Sequence, residues 1–137
     1  MTPVRDRSLH AVLWLGQLVM AAVFAFSGYE KLTRPIAALA GAMPWVIDVP
    51  PMLLTFIGAC EVAGAIGLLL PSLSGIQPGL TPLAAVGLTT LMSLASIFHF
   101  GRGEFGMLLV TVPLALACGF IAWGRLTHAS IRERLGG

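Results

Sequence analysis

The chain has 137 residues, 8 Lys plus Arg against 6 Asp plus Glu, a net charge of +2, and 57% hydrophobic residues. Only 10% of residues are charged, against roughly 25% in an ordinary soluble domain, and the mean hydropathy is +0.91. A water-soluble domain of this size needs a mostly polar surface, so these figures exclude one, together with a disordered chain, a disulfide-stapled secreted domain and a nucleic-acid binder with a basic face.

Four apolar spans follow in chain order: Leu9–Tyr29, Pro51–Leu70, Gly79–Phe100 and Phe105–Gly124. Each is close to the ~20 residues that cross a ~30 Å hydrocarbon core as helix. They are apolar all round, whereas a membrane strand alternates apolar and polar residues. The expected fold class is therefore an all-α membrane protein, a four-transmembrane-helix bundle forming one membrane domain over residues 1–137. The first span resembles a signal peptide in having Arg5 and Arg7 before it and Ala25-Phe26-Ser27 as a small-x-small site. Its apolar stretch, Ala11 to Ser27, exceeds the ~7–15 residues of a signal core, so it reads as an uncleaved first helix.

The linkers differ in character. Lys31–Pro50 is long and mostly apolar. Pro35 suits the first position of a short helix, with Ile36, Leu39, Ala40 and Met43 on one face, and the segment reads as interfacial or re-entrant, with Trp45 at headgroup level. Pro71–Pro78 carries no charge. Gly101-Arg102-Gly103-Glu104 is tight and makes the third and fourth spans antiparallel neighbours. With four spans, both termini share a side that carries Arg5, Arg7, Arg125, Arg132 and Arg134, against Lys31, Arg34 and Arg102 opposite. The positive-inside rule then puts both termini in the cytoplasm, in the inner membrane of a bacterium.

Glu61 is the most informative residue. It lies about 15 Å below Pro51 at 1.5 Å per residue, near the bilayer midplane. An acid there costs roughly 2.5–3.5 kcal/mol on insertion scales, so it faces protein or water rather than lipid. Ile57, Gly58, Gly64 and Ala65 share its face, and the glycines let a second helix approach. Thr89, Ser93 and Ser96 fall on one arc of the third span, with Met92 and His99 on its flank. A straight-helix estimate separates Glu61 and His99 by on the order of 13 Å in depth, so a water-filled ladder through Thr89, Ser93 and Ser96 would be needed to join them. The alternatives are a protonated Glu61 hydrogen-bonded across helices as packing glue, and hydroxyls bonded back to the i−4 carbonyls of their own helix.

Ser27 and Lys31 are four apart and share a face with Phe24 and Met20. Lys31 either turns in toward the cavity mouth or snorkels out to the headgroups, the commoner outcome. If neither Lys31 nor His99 reaches Glu61, a neutral acid is expected there. Phe24, Met20, Met92 and Trp45 are candidate cavity walls. Glu30, Arg34, Asp48, Arg102 and Glu104 crowd the outer rim, and His10 and His128 lie near the inner face with no assigned role. Cys60 and Cys118 sit in apolar runs with no CxxC or metal spacing. They read as small hydrophobes, with a redox pair as the alternative. No metal site, GxSxG, phosphate loop or haem-attachment motif is present.

Phe26-Ser27-Gly28-Tyr29-Glu30-Lys31-Leu32, then Gly58-Ala59-Cys60-Glu61-Val62-Ala63-Gly64 running to Pro71, then Met92 to His99 followed by Gly103-Glu104, resembles the DoxX-like family over about Leu9 to Arg125. The resemblance implies a four-helix membrane protein, with some relatives acting as subunits of quinone-linked sulfur oxidation and others tied to membrane redox complexes. The family pattern falls on Ser27-Gly28, Lys31-Leu32, Glu61, Gly64 and His99. The signature of the thiosulfate-oxidising branch is absent. Three function classes stand at this point. One is a lipophile-binding redox-partner or accessory subunit, with a quinone or lipid near Glu61 and a partner protein or second copy beside it. Another is a small membrane enzyme with Glu61 and His99 or Lys31 as acid and base on an epoxide, alkene or sterol-like lipid. The last is a scaffold or chaperone. Ser27, Lys31, Thr89, Met92, Ser93 and Ser96 are the candidate ligand contacts.

Overall fold

The structure, a computed structural model, describes residues 3–132. Arg134 and the extreme ends of the expected domain lie outside the described residues. The described chain is helical and without strands: α1 (Pro3–Thr33), α2 (Ile36–Leu39), a 3-10 turn at Pro44–Asp48, α3 (Pro51–Ser74), α4 (Leu80–Gly101) and α5 (Phe105–Thr127). Four of these helices are long and apolar enough to cross a membrane. Leu15, Phe26, Met52, Leu109 and Leu116 are more than half exposed on the outside. Such an apolar exterior suits lipid, since hydrocarbon is as apolar as these side chains.

Chain direction follows from the short connections. α3 and α4 form one antiparallel hairpin, α4 and α5 another, and α1 packs on α3 and α5. Met20, Phe24, Leu68, Leu88, Met92, Cys118 and Ile121 meet in the centre. α3 extends to Ser74, past the expected end at Leu70. Pro71 is tolerated inside it, and the helix stops at Gly75, whose φ of 69° is the left-handed cap and whose N–H donates to Pro71 O at 3.0 Å. Both cysteines are free thiols, Cys118 in the core and Cys60 half-buried.

One close approach fixes the geometry of the site. Where α1 crosses α3, a Cβ placed on Gly28 would lie 2.6 Å from Gly58 O, and one on Gly58 would lie 3.1 Å from Gly28 O. The two backbones touch. Lys31 is three residues after Gly28 and Glu61 three residues after Gly58, so each lies on the same face as its glycine. Backbone contact at the glycines therefore carries the two charged side chains to each other.

The segment after α1 caps this end of the bundle. Leu39, Trp45, Val46 and Leu54 form a second apolar cluster, with Ile36, Ala40 and Met43 packed on it. That is the face expected from the sequence. Trp45, however, is turned inward and is 8% exposed, because its ring packs edge-on against Phe98 and His99.

Candidate functional site

Lys31 Nζ lies 3.1 Å from Glu61 Oε1 and 3.0 Å from Oε2, and 2.5 Å from Ser27 Oγ. The two charged side chains are 5% and 3% exposed. Lys31 has thus turned inward rather than snorkelling, and Glu61 sits in an ion pair rather than as the isolated acid the sequence suggests. The reason is local. α1 runs unbroken to Thr33, so Lys31 is still on a packed helical face, and Gly28 holds that face against α3. One ammonium supplies three N–H donors, and Ser27 and the two carboxylate oxygens take all three.

The pair opens onto a cavity of about 460 Å³ between α1, α3, α4, α5 and the 3-10 turn. Its walls are mostly apolar and include Phe24, Leu53, Phe56, Ile57, Leu91, Met92, Phe98, Met107 and Leu114. Its polar lining comprises Ser27, Lys31, Glu61, Trp45, His99 and Thr111. A hollow of a few hundred cubic ångströms with apolar walls and a few fixed polar groups is the usual form of a small-molecule site. A larger groove of about 610 Å³ lies between α3 and α4, past Cys60, Gly64, Gly67 and Leu91. It carries no carboxylate, amine or imidazole, so the chemistry belongs to the smaller cavity.

His99 is 3% exposed, and its Nδ1 lies 2.6 Å from Glu104 Oε2. Glu104 Oε1 accepts from Arg102 Nε at 2.8 Å, and Arg102 Nη2 donates to Asp48 Oδ2 at 2.6 Å. These bonds tie the α4–α5 turn to the 3-10 segment that carries Trp45. The bonds from His99 and then Arg102 hold the Glu104 carboxyl below the usual carboxylate range, and Glu104 with Asp48 raises the Arg102 guanidinium. The Trp45 indole N–H is buried and has no hydrogen-bond partner among the described residues.

Of the residues singled out from the sequence, Ser27, Lys31, Glu61, Met92 and His99 meet in this one cavity. Phe24 and Trp45 are walls as expected, whereas Met20 lies in the central core. Glu61 and His99 share the cavity without bonding each other. Thr89, Ser93 and Ser96 do not line it. Thr89 Oγ1 donates to Ala85 O at 2.7 Å and Ser93 Oγ to Thr89 O at 2.8 Å, the i−4 back-bond of a helical hydroxyl. Ser96 Oγ lies 2.8 Å from both Met92 O and Thr111 Oγ1. The three hydroxyls therefore form no ladder from Glu61 to His99. Thr111, Met107 and the Glu104 bond to His99 were missed. The signal for the last was the glycine turn itself: Gly103 has φ 71°, and Glu104 N–H donates to His99 O at 2.9 Å, folding the carboxylate back onto the imidazole.

A second polar centre lies at the other end. Gln17 Nε2 donates to Leu68 O at 2.5 Å and to Ser72 Oγ at 3.2 Å, and Ser72 pairs with Thr81 at 2.8 Å. Arg125, 2% exposed, donates from Nε to Gln17 Oε1 at 2.6 Å and from Nη1 to Ala129 O at 2.8 Å, and its guanidinium lies 5.5 Å from the Trp14 ring. His10 Nδ1 is 2.9 Å from Arg125 Nη1. This knot joins all four long helices and leaves the first cavity as the open one.

Four long apolar helices around an ion-paired, mostly apolar cavity define an integral membrane protein of the four-helix bundle class. The DoxX-like family profile matches residues 15–123, and the chain belongs to that family. No curated protein and no solved structure matches it.

Proposed function

We propose that the protein binds a lipophilic small molecule, quinone-like or lipid, in the cavity beside Glu61 and serves as a redox-partner or accessory subunit of a membrane complex. One observation carries the reading: a cavity of about 460 Å³ has apolar walls and a few fixed polar groups, Lys31, Glu61 and His99 among them. The Lys31–Glu61 pair marks the polar floor of the same cavity. Native mass spectrometry of the protein in nanodiscs tests for a retained lipophile. With Trp14 and Trp123 replaced by Phe, saturable quenching of Trp45 by a short-chain benzoquinone or a spin-labelled fatty acid is expected. The absence of both retention and saturable quenching would overturn the reading.

A second reading, a small membrane enzyme acting on an epoxide, alkene or sterol-like lipid, is favoured by His99, which lines the same cavity and is bonded to Glu104 behind it. Glu61→Gln separates the two. Turnover collapses while binding persists if Glu61 is the acid or base, and affinity falls modestly with no turnover at stake if it is part of a binding floor. The orientation proposed is both termini in the cytoplasm of a bacterial cell, on the charge bias of the flanking arginines.

A further inference from the structure

We propose that His99 and Glu104 form a proton port, through which an oxygen of the bound lipophile exchanges a proton with the water outside the bundle. The proposal rests on the ligand reading above and narrows the ligand to an apolar molecule with an ionisable hydroxyl, phenol or enol.

The two titratable centres of the cavity are unlike. The Lys31–Glu61 pair is closed, since its hydrogen-bond partners are each other and Ser27. No hydrogen bond among the described residues links it to a surface group. His99 is open at both ends. Its ring lines the cavity, and Nε2 has no protein partner among the described residues. Its Nδ1 is bonded to Glu104, whose side chain is 26% exposed. The path from cavity to water is therefore two groups long, with one 2.6 Å bond between them.

The surroundings favour one arrangement of protons. A carboxylate on Nδ1 holds the ring proton there and leaves Nε2 bare, since the hydrogen bond at one nitrogen sets the tautomer of the other. The ring is also held by Trp45 at 5.8 Å and Phe98 at 5.2 Å, both edge-on. Behind Glu104 stand Arg102 and then Asp48. Thr111 of α5, and Lys31 and Glu61 of α1 and α3, line the same cavity and make no bond to the imidazole. Arg102 fixes Glu104 Oε1 and so stops the carboxylate from rotating away from the ring.

The ligand O–H gives its proton to Nε2 while the Nδ1 proton passes to Glu104 Oε2. Glu104 then releases a proton to water. One proton has left the cavity, the ligand oxygen holds one added negative charge, and the imidazole is neutral with its proton on Nε2. The reverse sequence imports a proton and restores the first tautomer. No electron moves and no further reactant is needed.

The test uses the full chain in nanodiscs with nitrogen-15 histidine, the His99 signals being assigned by their loss in His99→Gln. The wild type is expected to show His99 with Nδ1 protonated and Nε2 bare. Glu104→Gln keeps an acceptor for Nδ1–H but cannot take the proton. It should leave the tautomer unchanged and slow exchange of the ring protons with water roughly a hundredfold, the low end of what a positioned proton acceptor contributes. Glu104→Ala should mix the tautomers. A purely structural Glu104 would leave exchange in Glu104→Gln at the wild-type rate. That result, or a wild-type proton resting on Nε2, overturns the port. Trp45 quenching by the benzoquinone is measured on the same samples. No quenching by the benzoquinone or the spin-labelled fatty acid, together with no retained lipophile, would sink the ligand reading, while the exchange rates judge the port separately.

Discussion

Alanine at Gly28 tests whether backbone contact between α1 and α3 builds the ion pair. A Cβ there would lie 2.6 Å from Gly58 O, 2.8 Å from Val62 Cγ2 and 3.0 Å from Val62 N. Two of these three are backbone atoms, which cannot swing aside. An ordinary contact is about 3.5 Å, so the helices must part by roughly 0.9 Å. Two effects oppose each other. Gly to Ala inside a helix gains up to about 1 kcal/mol. Overpacking costs about 1–3 kcal/mol, and contact with rigid backbone puts this case at the upper end. The net expectation is a loss of about 2 kcal/mol. Parting the helices also lengthens the 3.0 Å Lys31–Glu61 contact, to about 3.9 Å if it takes up the whole shift, beyond hydrogen-bond range. Gly87 in α4 is the control, because a Cβ there meets nothing within 4 Å. Gly87→Ala should be neutral or up to about 1 kcal/mol more stable. Reversible unfolding in mixed micelles, followed by circular dichroism, gives both numbers. Equal stability of the two variants would refute the close-approach argument.

The remaining predictions concern charge and pH. Lys31→Met should destabilise by about 3–5 kcal/mol because it strands a buried carboxylate, and adding Glu61→Leu should return stability to wild type or above. A second substitution that restores nothing in the same unfolding assay would count against a buried pair. Glu104 is held below its ordinary value of 4.5 by His99 and then Arg102, so its bonds stabilise the fold above that pH and are lost as pH falls through the lowered value. The acid limb of a thermal-melting profile should therefore be shallower in Glu104→Gln than in the wild type, and identical limbs would contradict this. For orientation, single cysteines at Thr2 and Gly137, in a chain with Cys60 and Cys118 replaced, should resist an impermeant reagent in intact cells. Labelling of both would reverse the proposed topology.

The span lengths and their apolarity were readable from the sequence because they depend only on local composition. So was the face of Glu61: Gly58 and Gly64 beside a midspan acid point to a helix contact, and both are buried with it. The direction of Lys31 was not. Snorkelling and inward rotation use the same helical position, and the choice is made by Gly28 meeting Gly58, a contact 30 residues apart in sequence. The rotation of α4 was also hidden. Its run is apolar on every side, so periodicity gives no inward face, and Thr89 and Ser93 could not be placed from spacing. Trp45 sits in a connection with no period at all, where only its packing on His99 and Phe98 turns it inward. Gln17 and Arg125, 108 residues apart, each look like an isolated polar residue until the fold joins them.

The two polar centres divide the molecule into a locked end and an open end. At the locked end Gln17, Ser72, Thr81 and Arg125 bond one another across all four long helices. At the open end, the ion pair of Lys31 and Glu61 faces a cavity that the apolar walls do not fill. Stability alone does not explain such a pair, since well-packed apolar residues of the same volume would hold two helices as well or better. The glycines weaken each helix by about 1 kcal/mol apiece, and the close contact of α1 with α3 that they allow is what brings the charges together. What the arrangement does supply is a fixed dipole on the floor of an apolar cavity, below an indole donor that has no partner and an imidazole tied to an acid at the surface. The imidazole–acid bond stabilises the fold, whereas neither the ion pair nor the unpartnered indole is accounted for by packing, and it is these polar groups on an apolar cavity that the proposed function turns to use.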